Sequence, residues 1–324
     1  MSSSLPLVFA ILMGAAVLAY VVLDGYDLGV GMLMPGGTAD EQNVMVASIG
    51  PFWDANETWL VLGVGILLIA FPAAHGYILG ELYLPVAAML VGLMLRGVAF
   101  ELRVKAVGWH GELWNWLFWF GSFLAAFSQG YMLGRYLTAF LPGWGTTLFS
   151  LMVGAALCGG YVLLGATWLV MRTEGELQQK AIGWTKWGLA WVALGVALVS
   201  LGSPMVSEIV YQRWFDFPGT LALMVLPIAS VVSWVWVWRS LGNSDWKPFA
   251  GAMAIFVLAF CGLAYSVFPY IVLGWLTIWE AAAHPSALKV VLVGALIVLP
   301  FLVGYTVFAY RVFRGKAKAG LYGH

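Results

Sequence analysis

"GPFWDANETWLVLGVGILLIAF" occupies Gly50–Phe71. Its polar head carries Asp54, Asn56 and Glu57, and an unbroken apolar run follows. Head and run together match the ~20 residues that a helix needs to cross the hydrocarbon core of a bilayer. If this stretch spans, the chain is a membrane protein, and each polar side chain at membrane depth needs a reason to be there. The fold turns on why such a segment would draw two carboxylates and an amide toward lipid.

Composition answers for the whole chain. Of 324 residues, 62% are hydrophobic and 9% are charged, against roughly a quarter charged in soluble domains. The chain cannot clothe itself in a solvated surface, so lipid is its solvent. Its formal net charge of zero argues against a nucleic-acid partner, which would need a basic surface. Cys158 and Cys261 both fall in apolar runs with no CxxC spacing, so they read as buried thiols rather than a disulfide. The opening "MSSSLPLVFAILM" lacks a basic n-region and an A-x-A site, and reads as a first membrane helix rather than a cleaved signal.

Charge-poor stretches predict about nine transmembrane helices, near 5–27, 51–73, 77–100, 114–137, 147–171, 184–203, 219–239, 249–272 and 288–311. Pro- and Gly-bearing breaks separate them: "PGGTADEQN", "FPAAHGY", "LPGWG", "DFPGT" and "AAAHPS". The apolar run over 248–279 leaves a tail expected at the outer interface. With an odd number of spans, the termini lie on opposite faces. Placing the C-terminus in the cytoplasm puts twelve of the fifteen basic residues on the inner side, Lys105 and Lys318 among them, and leaves Arg135, Arg213 and Lys289 outside. The positive-inside rule therefore predicts a periplasmic N-terminus and a cytoplasmic C-terminus. The 18 Trp gather near span ends, as an interfacial belt does.

Few ionisable residues fall inside these spans, so those few are the functional candidates. Asp24 and Asp27 lie three apart, on one face near the inner end of the first span. Asp54 and Glu57, again three apart, begin the second; Arg96 and Glu101 end the third. Each has a plain structural reading alone: acids suit a helix N-terminus after Pro51, and Glu101 can pair with Lys105. Five carboxylates and one arginine at a shared depth instead suggest a proton-uptake path open to the cytoplasm. On the outer side, Glu81, Glu208, Asp216, Glu280 and His284 read as helix-end or subunit-contact residues. The histidines, His75, His110, His284 and His324, all fall in predicted loops or the tail, so no predicted span offers an imidazole to a haem or metal. No P-loop, dinucleotide fingerprint or Ser–His–Asp set is present.

The stretches "LDGYDLGVGML" (23–33), "GPFWDANETWL" (50–60), "LRGVAFELRVKA" (95–106) and "GATWLVMRTEGELQQKA" (165–181) resemble subunit II of cytochrome bd-type quinol oxidases, including the cyanide-insensitive branch. "FPYIVLGWLTIWEAA" (268–282) does so more weakly, and the region of the sixth and seventh spans is shorter than in long family members. The resemblance implies an all-α integral membrane protein, a single polytopic domain over 1–324. It would hold two four-helix bundles plus a peripheral helix: 1–141 the first bundle with the polar cluster, 142–324 the second bundle and the peripheral helix. It implies a subunit of a bacterial inner-membrane terminal oxidase that reduces O2 to water with electrons from quinol. The partner, subunit I, would carry two haems b and a haem d. None would be ligated by this chain, and metal sites are expected to be absent. A structural quinone and a small single-helix accessory subunit occur in some members. By motif match, Asp27, Asp54 and Glu101 would serve a proton channel, with Asp24 and Glu57 beside them. Glu101 stands where some relatives have aspartate. Trp53 and Arg96 would lie near the subunit interface, Arg96 offsetting the clustered negative charge. Two rivals stand against this reading: a secondary transporter, which would place polar groups in both halves of the chain, and a scaffold that only assembles the haem subunit.

Overall fold

The computed structural model describes residues 4–103, 106, 108–215, 220 and 223–317. Lys105, Asp216, Lys318, His324 and the start of the helix predicted at 219–239 lie outside the described residues. Helix follows helix along the chain: α1 (Leu5–Leu33), α2 (Ala39–Ile49), α3 (Trp53–Ala70), α4 (Pro72–Arg103), α5 (Trp109–Leu137), α6 (Trp144–Arg172), α7 (Gly175–Val206), α8 (Glu208–Phe215), α9 (Val225–Ser240), α10 (Lys247–Val267) and α11 (Pro285–Val312). Each predicted span coincides with one of them. Seven of the described helices are long and apolar enough to cross a membrane, with mean hydropathy from 1.2 to 2.5. The other two predicted spans correspond to α5, whose 29 residues include more polar side chains, and to α9, which is 16 residues long.

Five expectations need correction. α1 continues past residue 27 to Leu33, so Asp24 and Asp27 sit within its final turns and not at its end. "PGGTADEQN" is no simple turn. A 3-10 turn over Met34–Gly36 leads into α2, whose start is fixed by a capping box. There the Thr38 backbone N–H donates to Glu41 Oε2 at 2.7 Å and the Glu41 N–H donates to Thr38 Oγ1 at 3.4 Å. In "FPAAHGY" only Phe71 separates α3 from α4, so His75 lies in the first turn of a helix. The apolar tail after α10 folds as a hairpin, β1 (Tyr270–Val272) antiparallel to β2 (Leu276–Thr277), with Gly274 supplying the positive φ of 73° that the turn needs. Of the two thiols, Cys158 is buried but Cys261 is exposed.

α1 lies at the centre, packed by α3, α5 and α6. α4 packs on α5, α5 on α6, α6 on α7, and α10 on both α6 and α9. Between helices in lipid no hydrophobic gain is available, so small residues that let backbones touch do the work. Gly29 of α1 meets Gly165 of α6 this way: a Cβ on Gly29 would fall on the Tyr161 carbonyl, and one on Gly165 would strike the Gly29 backbone. That seam draws the acid-bearing end of α1 into the core. α11 is different. Leu288 and Ala309 are its fully buried residues, and it runs along the outside of α1 and α3.

The two ends of the bundle differ. At one, the hairpin and the start of α11 close over Phe9, Ile66, Phe71 and Phe140, and the Ala283 N–H donates to the Ala70 carbonyl at 2.8 Å. At the other, charge collects. Lys180 pairs with Glu41 at 2.6 Å, Lys316 with Asp245 at 2.7 Å, and Arg103 donates to Asn115 and Asn43.

Candidate functional site

At the charged end, three helices point polar side chains at one another inside the core. Asp24 and Asp27 on α1 and Asn56 on α3 are each 0% exposed, and Arg96 on α4 is 1% exposed. Arg96 Nη1 lies 2.7 Å from Asp24 Oδ1, and Nη2 donates to Glu57 Oε1. Glu57 keeps 29% of its side chain exposed, so the triad leads from the surface to a fully buried carboxylate. Removing such charges from water is costly, and pairing offsets only part of the cost. Arg96 is buried within this chain, where Gly92 and Gly121 let α4 and α5 approach until their backbones touch.

Asp27 sits in a second arrangement built on Asn56. The Asn56 amide Nδ2 donates to Asp27 Oδ2 at 2.7 Å, and lies 3.0 Å from the Tyr26 hydroxyl and 3.2 Å from the Leu23 carbonyl. Tyr310 of α11 donates to Asn56 Oδ1 at 3.2 Å. Around this ring lie aromatic walls: Trp168 stacked on Tyr26 with centroids 4.1 Å apart, and Phe52 stacked on Tyr310 at 4.5 Å. The Arg172 guanidinium rests on Trp168 and Phe52. From Asp24 the polar line continues one turn back along α1 to Tyr20, which accepts from Gln129 Nε2 at 2.8 Å; Tyr161 donates to Gln129 Oε1 at 2.6 Å.

The structure thus brings together Asp24, Asp27, Glu57 and Arg96, and leaves two predicted members out. Asp54 and Glu101 are exposed on this chain. The reason is rotation about the helix. At 100° per residue, Asp54 is turned about 200° from Asn56, and Glu101 about 140° from Arg96, so neither shares the inward face. Trp53 is half-buried, its ring packed on Phe100 at 5.0 Å. Sequence reasoning passed over Tyr20, Gln129, Tyr161 and Tyr310. Tyr20 stands one turn before Asp24, a readable spacing, while Tyr310 is too distant in sequence for any local pattern.

Among the described residues no three His, Cys, Asp or Glu side chains could hold a metal ion. His75 and His110 stand in the first turns of α4 and α5, and His284 caps α11 by accepting from Ser286 N. Of the outer acids, Glu81 is exposed on α4, Glu208 accepts from Gln212 at 3.1 Å, and Glu280 accepts from Thr277 N and Oγ1. What remains is a set of carboxyl, hydroxyl and guanidinium groups, chemistry suited to holding and exchanging protons.

The model of the cytochrome bd terminal oxidase subunit II family matches residues 5–313. Cytochrome bd ubiquinol oxidase subunit 2 of Bacillus subtilis (strain 168) is 29% identical over 332 residues, covering 95% of each chain. Cytochrome bd-I ubiquinol oxidase subunit 2 of Escherichia coli (strain K12) is 25% identical over 367 residues, covering 94% of this chain and 93% of its own. A chain in the structure of bd oxidase from Geobacillus thermodenitrificans superposes with a TM-score of 0.79 at 18% identity, over 96% of this chain and 98% of its own, which speaks for the fold. With seven apolar helices and a match along nearly its full length, the chain is a multi-pass membrane protein of the cytochrome bd terminal oxidase subunit II family.

Proposed function

We propose that this chain is the haem-free subunit of a quinol:oxygen oxidoreductase of the bacterial cytoplasmic membrane. In this reading it supports a haem-bearing subunit I and feeds it protons from the cytoplasm. The charged end of the bundle is the cytoplasmic face, and the helices form two four-helix bundles, α1 with α3–α5 and α6, α7, α9 and α10, with α11 peripheral. The two haems b and the haem d reside on subunit I, with quinol oxidised there. A structural quinone and a single-helix accessory subunit are compatible additions.

One observation carries the proposal: a guanidinium 1% exposed held between the partly exposed Glu57 and the fully buried Asp24. Buried charge inside a membrane helix is retained where function needs it. Three carboxyl groups, Asp24, Asp27 and Glu57, face one guanidinium, so charge balance favours protons shared among them. Glu57 meets the surface, Asp24 lies within, and Tyr20, Gln129 and Tyr161 extend the polar line. Asp54 and Glu101, exposed on the isolated subunit, are suited to bridge this line to subunit I once the two are joined.

Oxygen consumption by the assembled oxidase carrying Asp24→Asn or Asp54→Asn tests this. The expected result is a normal reduced-minus-oxidised haem spectrum with turnover reduced by about a hundredfold or more, the range by which a lost proton donor slows catalysis. Normal turnover with normal spectra would leave scaffolding as the function.

A further inference from the structure

α11 lies on the outside of the bundle, with none of its apolar window fully buried, yet its charged end is pinned four times. Arg172 Nη2 donates to the Phe313 carbonyl at 2.7 Å, and the Ala317 N–H donates to the Arg172 carbonyl at 2.7 Å. Lys316 Nζ donates to the Thr173 carbonyl at 2.9 Å and pairs with Asp245 Oδ2 at 2.7 Å. What this clasp holds in place is Tyr310, stacked on Phe52 and in contact with Asn56.

The direction of each hydrogen bond around Asn56 follows from counting hydrogens. One edge of its amide faces the Leu23 carbonyl, which accepts only, and Asp27 Oδ2. That edge is therefore the NH2, and Oδ1 faces Tyr310. Tyr310 has one hydroxyl hydrogen and gives it to Oδ1. The Tyr26 and Tyr310 oxygens are 2.5 Å apart, so Tyr26 must donate to Tyr310. Asn56 Nδ2, 3.0 Å from the Tyr26 oxygen, closes a ring in which every donor points the same way round. The second Nδ2 hydrogen lies between Asp27 Oδ2 at 2.7 Å and the Leu23 carbonyl at 3.2 Å, and the shorter contact gives it to Asp27.

We propose that Tyr310 is a positioning residue for Asp27: by donating to Asn56 Oδ1 it turns the Asn56 N–H onto the Asp27 carboxyl. An N–H on that oxygen favours the carboxylate. Without the Tyr310 hydroxyl the amide is free to turn and present its own oxygen, which pairs with Asp27 only when Asp27 carries a proton. The charged and titratable groups around Asp27 are Asp24 and Tyr26 on α1, Glu57 on α3, Arg96 on α4, Arg172 on α6 and Tyr310 itself. Among the described residues, Tyr310 is the donor to Asn56 Oδ1. An otherwise peripheral helix thereby sets the proton affinity of a core acid.

The inference rests on reading Asp27 as a group that exchanges protons. Its test reads Asp27 directly, so it is separable from the turnover test above. In the purified oxidase complex, the infrared C=O band of protonated Asp27 is identified by its loss in Asp27→Asn and followed against pH. With Tyr310→Phe the band is expected to persist to higher pH, by about one pH unit. With Tyr26→Phe, which leaves the Tyr310–Asn56 bond intact, it is expected to stay close to the native position. An unmoved band in Tyr310→Phe, with native haem spectra, overturns the proposal, as does an equal shift in Tyr26→Phe. If Tyr310→Phe does not assemble, Asn56→Leu removes the donor outright and must give the same upward movement; no movement there overturns the proposal.

Discussion

Arg96 Nη1 and Asp24 Oδ1 lie 2.7 Å apart with both side chains withdrawn from the surface, joining α4 to α1 at the depth where lipid would otherwise surround a charge. Arg96→Leu strands Asp24 without a counter-ion and is expected to cost about 3–5 kcal/mol. The double variant Asp24→Leu/Arg96→Leu removes both charges and should recover much of that loss. Thermal unfolding of the detergent-solubilised complex, followed by tryptophan fluorescence, distinguishes the two; equal Tm values for single and double variants would contradict the pairing.

The α1–α6 seam makes a second demand. Gly29→Ala places a methyl group on the Tyr161 carbonyl, and the helices must part to admit it, at an expected cost of at least about 1–3 kcal/mol. Gly183→Ala serves as a control, because nothing lies within 4 Å of the added carbon and alanine favours a helix by about 1 kcal/mol. A lowered Tm for the first and an unchanged or raised Tm for the second is the expected pattern.

Outside the spans, Glu41 of α2 responds to acid. Its hydrogen bond with Lys180, joined by the Thr38 N–H, holds its carboxyl below the ordinary Glu value of 4.5. A carboxyl with a depressed value in the folded state contributes stability that is complete above 4.5 and fades as pH falls through the lowered value. At a surface the pair contributes at most about 1 kcal/mol. Glu41→Gln should therefore lower Tm slightly at neutral pH, less so in high salt, and make no difference in strong acid. Tm measured against pH for both proteins checks this.

Asp54 and Glu101 separate stability from function. Both are exposed on the isolated subunit, so Asp54→Asn and Glu101→Gln should change its stability by less than about 0.5 kcal/mol. In the assembled oxidase the same changes are expected to slow oxygen consumption. Melting curves that move as far as those of Arg96→Leu would place these acids in the fold instead.

Depth along a helix was legible in sequence, and rotation about it was not. Counting residues from the span ends put Asp24, Asp27, Glu57 and Arg96 at one level, and the structure brings those four together. The same count put Asp54 and Glu101 there too, because a hydropathy run measures length and says nothing of which way a side chain faces. α2 carried a readable signal in Thr38-Ala-Asp-Glu41, a capping box hidden within what looked like a turn. The hairpin at 270–277 could not be told from a helix end, since its strands continue the apolar run of α10. Tyr310 depends on a tertiary contact across 254 positions, and no local periodicity reports such a partner.

The clasp at Tyr310 also bears on how the protein is made. Tyr26 leaves the ribosome 284 residues ahead of the hydroxyl it will meet, and Asn56 precedes its donor by 254. Until α11 emerges, then, the Asn56 side-chain oxygen waits in the bilayer without its donor. A product stopped short of α11 keeps that blemish, and one that includes α11 loses it as Tyr310 docks.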